Sequence, residues 1–175
     1  MKLTAARTTC IAATATRLAG ICTLGFLALL TSTLAAAATA TTTYAVTATV
    51  QATCLVSATG LAFGTYTGTV ASSTSTVSVT CTNTTPYNVG FDPGLATGAT
   101  VTTRKMTGPA SALLSYGLYS NAGYTTNWGL TIGTDTVAGI GNGSAQAITV
   151  YGQAAAAQYV APGSYSDTIT VTVTY

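Results

Sequence analysis

The sequence contains no histidine and no glutamate, and only 5% of its 175 residues are charged. Without histidine, neither a Ser-His-Asp triad nor a Cys-His pair can form, and zinc would lack its commonest nitrogen ligand. The acidic residues are Asp92, Asp135 and Asp167, and each lies in a turn or at a strand end, which favours a structural role over paired carboxylate catalysis. We therefore expect that the protein is not an enzyme and uses no metal or other cofactor.

Long apolar runs are also scarce. One such run occupies residues 18–30, follows three basic residues and precedes a stretch of small residues. This order is typical of a secretory signal peptide, and the run is short for a membrane span. We predict a signal peptide over residues 1–38, cleaved after Ala38 or Ala40, and no membrane insertion after cleavage.

Removal of this segment changes the charge balance of the chain. The remaining chain contains two basic residues, Arg104 and Lys105, and three aspartates, which gives a net charge of −1. Such a chain has no basic surface for nucleic acid or for an anionic membrane. For the two basic residues themselves, the sequence favours an exposed loop position or an ion pair with an aspartate, although a ligand-binding role stays open.

The remaining residues are rich in Thr, Val and Tyr, which favour strands. Short segments of mostly alternating apolar and polar residues are separated by Gly, Pro, Asn and Ser, and no helix of ten or more residues is evident. This pattern predicts an all-β fold of the sandwich type. The clearest segments are 74–83, 86–92, 112–120, 146–153 and 166–175.

Two cysteines, Cys54 and Cys81, remain after removal of the signal peptide. An even number of cysteines in an exported chain predicts a disulfide between them. No C-x-x-C motif or neighbouring histidine indicates a redox role.

The aromatic residues Tyr116, Tyr119, Tyr124 and Trp128 are close in sequence. They could form a sugar-binding platform, or they could lie in the core or at a contact between subunits. The glycine-rich stretch 139–144 has neither a following lysine nor a helix, so a tight turn is favoured over a phosphate loop.

The segment 43–53 has the alternation of a strand, with apolar residues at every second position. From the alternation alone, it could be the first strand of a complete sandwich, or it could join the sheet of another molecule. Its apolar residues are Tyr44, Val46, Ala48, Val50 and Ala52.

A series of short motifs in one order resembles the spore coat protein U domain family, which includes pilin subunits of the archaic chaperone–usher pathway. The resemblance runs from about Thr43 to Tyr175. Its motifs are C-L-V at 54–56, L-A-F-G-T-Y at 61–66, V-S-V-T-C at 77–81, R-K-M at 104–106, L-S-Y-G-L-Y at 114–119, W-G at 128–129, V-Y-G at 150–152 and P-G-S-Y-S-D-T-I-T-V-T-V-T-Y at 162–175.

The resemblance implies an incomplete immunoglobulin-like β-sandwich, with a donor strand in residues 39–53 and the pilin domain in residues 54–175. Its open groove would be filled first by a strand of a periplasmic chaperone. At an outer-membrane usher, the donor strand of an identical or related subunit would then replace it. The chain would be secreted through the periplasm of a Gram-negative bacterium to a surface pilus, with a role in adhesion or biofilm formation.

The same resemblance assigns roles to individual residues. The five alternating residues from Tyr44 to Ala52 would form the donor strand, and Ile169, Val171, Val173 and Tyr175 would form the strand that pairs with the chaperone or donor. Two alternatives remain: a structural protein of a spore or cell-surface coat, and a monomeric glycan-binding sandwich.

Overall fold

The computed structural model describes residues 37–175 of the chain. The predicted signal peptide, residues 1–38, therefore lies almost entirely outside the described residues, and its cleavage stays a prediction. The chain divides into two units, Met1–Val46 and Thr47–Tyr175. In the first unit, residues 37–46 are exposed and belong to no helix or strand.

The second unit is built from strands. Besides strands, the regular structure of residues 47–175 consists of one 3₁₀ turn, Pro109–Ser111. In the described part of the chain, no helix is long and apolar enough to cross a membrane. The predicted all-β fold class is therefore confirmed. The strands are β1 (Cys54–Ala58), β2 (Ala71–Cys81), β3 (Pro86–Phe91), β4 (Arg104–Thr107), β5 (Leu113–Tyr119), β6 (Val137–Ile140), β7 (Gln146–Ala154) and β8 (Val171–Thr174).

The strands form two antiparallel sheets. The larger sheet has the order β1-β2-β7-β5-β4, and the smaller has the order β6-β3-β8. Within the described residues, β1 is hydrogen-bonded only to β2 and β8 only to β3. β1 and β8 are therefore edge strands, as are β4 and β6 at the other ends of the two sheets.

Five of the predicted strands lie where the alternation placed them, although the last is shorter than expected. Residues 166–170 cross between the sheets, because Ser166 exchanges main-chain hydrogen bonds with Thr107 of the larger sheet, whereas Val171 pairs with Phe91 of the smaller one. The regular strand can begin only after this crossing. The alternation did not predict three short strands, β1, β4 and β6.

The core lies between the sheets and follows the alternation of the strands. In β2, the inward residues Val77, Val79 and Cys81 are buried, and Ser78 and Thr80 between them point outward. Cys81 forms the predicted disulfide with Cys54, its partner in the β1–β2 ladder. The bond closes a loop with a sequence separation of 27 residues, worth about 3–4 kcal/mol in the chain-entropy model.

Arg104 is not the exposed loop charge or carboxylate partner that the sequence favoured. Its side chain is 0% exposed, and it donates hydrogen bonds to four main-chain carbonyls rather than to carboxylates. Nε donates to Asp92 at 2.8 Å, Nη1 donates to Val101 at 2.7 Å, and Nη2 donates to Phe91 at 3.0 Å and to Trp128 at 2.7 Å. Burial lowers the pKa of this guanidinium, and the nearby Tyr116, Asp92, Asp167 and Asp135 oppose that shift.

Two of the four candidate platform aromatics are core residues. Trp128 is 0% exposed, packs against Phe91 with ring centroids 4.6 Å apart, and donates from Nε1 to the Val89 carbonyl at 2.8 Å. Tyr116 is 7% exposed. Neither ring can stack on a sugar, so a platform built on these four residues is excluded, and the core alternative holds for these two.

We predict that Arg104→Met lowers the free energy of unfolding by about 3 kcal/mol or more, because four carbonyls, two of them buried and two part-buried, lose a charged donor. Urea unfolding of the exported chain measures this loss. The matched control is Lys105→Met on the next residue, which is only half-buried and should change stability by less than about 0.5 kcal/mol. Equal losses for the two variants would contradict the prediction.

Candidate functional site: an open groove between the sheets

A groove of about 1080 Å³ with an apolar floor opens between the two sheets. Its floor consists of inward residues of both sheets, and its two rims are the segments 58–68 and 158–169. The floor residues are Val77, Met106, Leu114, Tyr116, Leu118 and Val150 of the larger sheet and Phe91 and Val171 of the smaller.

The first rim continues from β1 and passes over the inner face of the larger sheet, above β7 and β5. Leu61 and Phe63 are half-buried against the core, and Phe63 makes an edge contact with Tyr116, with centroids 5.8 Å apart. Both side chains lie over Gly152 of β7, where an added Cβ would come within 2.6 Å of Leu61 Cδ1. The glycine therefore lets this rim approach the sheet.

The second rim is held to the larger sheet by Gln158. Its Oε1 accepts from the Ser115 main-chain N–H at 2.7 Å, and its Nε2 donates to the Ser115 carbonyl at 2.9 Å. Tyr66 of the first rim accepts from the Gln158 N–H at 3.2 Å and donates to the Ala155 carbonyl at 2.6 Å. The two rims are thus tied together at one end, which we call the mouth of the groove.

One polar pair lies in the groove. The Tyr116 hydroxyl donates to Asp167 Oδ2 at 2.8 Å, and Asp167 Oδ1 accepts from the main-chain N–H groups of Leu95 at 3.0 Å and Thr168 at 2.8 Å. Burial, and then the hydrogen bond to Asp167, raises the pKa of Tyr116 well above its ordinary value of 10.0. Both groups have partners, so the pair is suited to holding the second rim in place.

The predicted acceptor strand borders this groove. Ile169, Val171 and Val173 are partly buried and pack against the core, whereas Tyr175 is 58% exposed. Because β8 pairs only with β3 among the described residues, its other edge is available for a ladder. Its role in pairing with a chaperone or donor stays a prediction.

The predicted donor residues belong to no strand in the single chain. Tyr44, Val46 and Val50 are 85%, 82% and 85% exposed, and Ala48 and Ala52 are exposed as well. Such an apolar alternation, exposed on a single chain, is a surface suited to burial against another molecule.

The sequence did not identify the groove rims. The L-A-F-G-T-Y motif indicates the family but not a position in the fold, whereas in the structure Leu61, Phe63 and Tyr66 belong to the first rim. No sequence pattern around Gln158 predicts its role, because that role depends on hydrogen bonds to the main chain of Ser115, 43 residues away in sequence. Within the described residues, no group of three or more possible metal ligands is present.

The family profile of the Spore Coat Protein U domain matches residues 40–172. The chain belongs to the Spore Coat Protein U domain family. It is 34% identical over 128 residues to Protein U of Myxococcus xanthus, an alignment that covers 66% of this chain and 71% of that protein.

A solved structure has the same fold as this Spore Coat Protein U domain. It is the complex of the chaperone CsuC with the tip adhesion subunit CsuE, from the archaic chaperone-usher Csu pili of Acinetobacter baumannii. The match has a TM-score of 0.54 and 24% identity and covers 73% of this chain, but the chain spans only 40% of the matched one. The incomplete immunoglobulin-like sandwich expected from the sequence is consistent with this fold. The family match thus assigns the domain, and the solved structure shows that its fold is shared.

We predict that the stability of the domain falls as the pH rises above about 10, and that Tyr116→Phe flattens this dependence. The pKa of Tyr116 is raised in the folded state, so the unfolded chain loses this proton first, and stability present below pH 10 is lost above it. One such proton contributes a slope of about 1.4 kcal/mol per pH unit.

Urea unfolding between pH 8 and pH 11 tests this prediction. The matched control is Tyr159→Phe, since Tyr159 is 90% exposed and should leave the slope unchanged. Equal slopes for the native chain and the Tyr116→Phe variant would contradict it.

Proposed function

We propose that this chain is a structural subunit of a secreted surface fibre of the archaic chaperone–usher type, which polymerises by donor-strand complementation. The observation that carries the proposal is the coexistence of an open apolar groove in the domain and an exposed, alternating apolar segment just before it. The segment of one copy would fill the groove of the next.

The dimensions of segment and sandwich agree. Tyr44 to Ala52 is nine residues, the length of β7 (Gln146–Ala154), and spans roughly 26 Å as a strand at about 3.3 Å per residue. Burial of Tyr44, Val46 and Val50 would contribute roughly 1.5–3 kcal/mol each before ordering costs. A slip of one residue would turn the threonine face inward, so the register is well specified.

The backbone supports the same proposal. β1 and β8 each have a free edge within the described residues, and an exposed edge is prone to uncontrolled pairing. A strand added along the free edge of β8 would gain ladder hydrogen bonds and lie beside the groove floor, which is the β-augmentation mode of recognition.

Insertion of segment 43–53 into the groove of its own chain is disfavoured by two hydrogen bonds that fix Thr53 to Thr82, which we call the anchor. The Thr53 carbonyl accepts from the Thr82 N–H at 3.0 Å, and its N–H donates to Thr82 Oγ1 at 3.2 Å. To fold back beside β1, the chain would need a tight turn at Ala52 and Thr53, where no Gly, Asn, Asp or Pro is present. Such a turn would also break both Thr53 hydrogen bonds. Donation to a second copy needs neither change.

The partners follow from this mode of assembly. A chain with an exposed groove needs protection before it polymerises, and the similar solved structure contains a chaperone with a pilus subunit. We propose a periplasmic chaperone, an outer-membrane usher and identical or related subunits as partners. The fibre would stand on the surface of a Gram-negative cell, in adhesion or biofilm formation.

A second candidate is a structural protein of a spore or cell-surface coat. The family to which the chain belongs is named after a spore coat protein. The same groove and segment could link subunits in a coat. Electron microscopy of the assembled product separates the two, because the fibre proposal expects unbranched filaments and a coat expects sheets or shells.

We predict that Val50→Asp prevents the exported chain from forming heat-resistant ladders in non-denaturing electrophoresis, because a carboxylate would be buried without a partner in the neighbouring groove. The matched control is Thr49→Asp, which places the same charge on the opposite face of the same strand and should leave ladders in place.

A version that lacks residues 39–53 should also form no ladders, and addition of a peptide of residues 43–53 should raise its thermal stability. A native chain that stays monomeric at all concentrations would overturn the proposed function. Equal ladders from the two Asp variants would overturn the assignment of the inserted face.

A further inference from the structure

Residues 167–170 carry the chain from the larger sheet to the start of β8. Ser166, just before them, exchanges main-chain hydrogen bonds with Thr107 of the larger sheet, and Val171, just after them, begins β8. The segment itself belongs to no strand, yet it lies in the second rim of the groove, where Ile169 is one of the lining residues. Its position therefore decides where the available edge of β8 begins.

The main-chain groups of this segment alternate between two sides, as in a strand. Thr170 faces β3, because its carbonyl accepts from the Asp92 N–H at 3.1 Å and its N–H donates to Asp92 Oδ1 at 2.9 Å. The neighbouring Ile169 therefore directs its N–H and C=O to the opposite side, where β8 has its free edge. Among the described residues, these two groups of Ile169 form no hydrogen bond. We call the edge made by every second residue from Ile169 the acceptor edge; its residues are Ile169, Val171, Val173 and Tyr175.

The pairing of Thr170 with β3 uses a carboxylate in place of a main-chain carbonyl. In a regular antiparallel ladder the Thr170 N–H would donate to the Asp92 carbonyl, but that carbonyl is directed to Arg104 Nε at 2.8 Å. The carboxylate of the same aspartate supplies the acceptor instead. Its Oδ1 also accepts from the Gly94 N–H at 3.1 Å, so one oxygen fixes both the turn after β3 and the residue next to Ile169.

A second aspartate holds the other end of the segment. Residues 92–95 read Asp-Pro-Gly-Leu, and Gly94 has a φ of +84°, which fits the third position of a type II turn. The Leu95 N–H, which would close such a turn on the carbonyl of its first residue, donates instead to Asp167 Oδ1 at 3.0 Å. An added Cβ at Gly94 would collide with the Asp167 carboxylate, so the turn and the carboxylate are packed together.

We infer that Asp92 and Asp167 are positioning residues for the capture of a strand. They hold residues 167–170 extended from both ends, so the acceptor edge begins at Ile169, two residues before β8. The inference rests on the proposed function and names the residues that prepare its acceptor side. A segment of another copy that pairs along β8 would gain main-chain hydrogen bonds to Ile169 without first ordering the chain there, which lowers the entropic cost of binding.

Hydrogen exchange in assembled ladders tests this role at single amides. In ladders of the native exported chain, the amides of Ile169 and Val173 should both be protected. Asp92→Ala and Asp167→Ala should each raise the exchange rate at Ile169 about tenfold, whereas the rate at Val173 should change less than about twofold. A merely structural role would raise both rates alike, because a general loss of stability opens the whole edge.

Two further variants separate the acceptor from the charge and from the place in the fold. Asp92→Asn keeps Oδ1 as an acceptor for both N–H groups without the charge, so exchange at Ile169 should stay within about threefold of the native rate. Asp135→Ala is the matched control, because Asp135 Oδ1 likewise accepts from a main-chain N–H, that of Thr131 at 2.6 Å, but Asp135 does not line the groove. This control should change exchange along the acceptor edge less than about twofold.

The outcomes separate this inference from the proposed function. A native chain that forms no ladders, or ladders in which neither amide is protected, overturns both. Native ladders with Val173 protected and Ile169 unprotected overturn the inference alone, whatever the variants do. The inference also fails if Ile169 exchanges at the native rate in the alanine variants, or if both amides accelerate alike, and the donor-strand proposal then stands. If one alanine variant does not assemble, the other carries the comparison.

Discussion

The free edge of β8, beside a groove with an apolar floor, is the constraint on which the rest of the molecule depends. Backbone N–H and C=O groups need partners when they are shielded from water. The domain therefore carries two unmet requirements at one place, for ladder hydrogen bonds and for apolar cover. A single added strand with alternating apolar side chains would meet both, and this is the reason for pairing the groove with segment 43–53 in the proposed function.

Arg104 makes this open architecture compatible with a rigid domain. From β4 at the edge of the larger sheet, its guanidinium binds carbonyls of Phe91 and Asp92 at the end of β3 and of Trp128 in the loop between β5 and β6. It thereby joins the two sheets on the side of β4. A lysine could not replace it, because one ammonium group cannot reach acceptors spread around a planar fork.

The sequence predicted the long strands, the disulfide and the fold class because each depends on local alternation or on cysteine count. β2 and β7 alternate along their whole length, and the period of two is a property of the strand itself. Arg104, Gln158 and the rims could not be predicted in the same way. Their roles depend on carbonyls and side chains that are distant in sequence, such as Trp128 for Arg104 and Ser115 for Gln158. Composition correctly indicated a chain of few charges, but it gave no sign that one of those charges is buried.

The position of the disulfide gives a physical reason why complementation would link copies rather than complete a monomer. Cys54–Cys81 and the Thr53–Thr82 hydrogen bonds fix the start of β1 at the end of the sandwich away from the groove mouth. The entropic cost of closing a short flexible loop is small, so a longer spacer before Cys54 would favour insertion within the chain. Without a spacer, Ala52 and Thr53 would have to form the turn that folds the strand back, and the hydrogen bonds between Thr53 and Thr82 would be broken. If the chain assembles as proposed, the choice between a closed monomer and an open fibre would be set by chain length at this one junction.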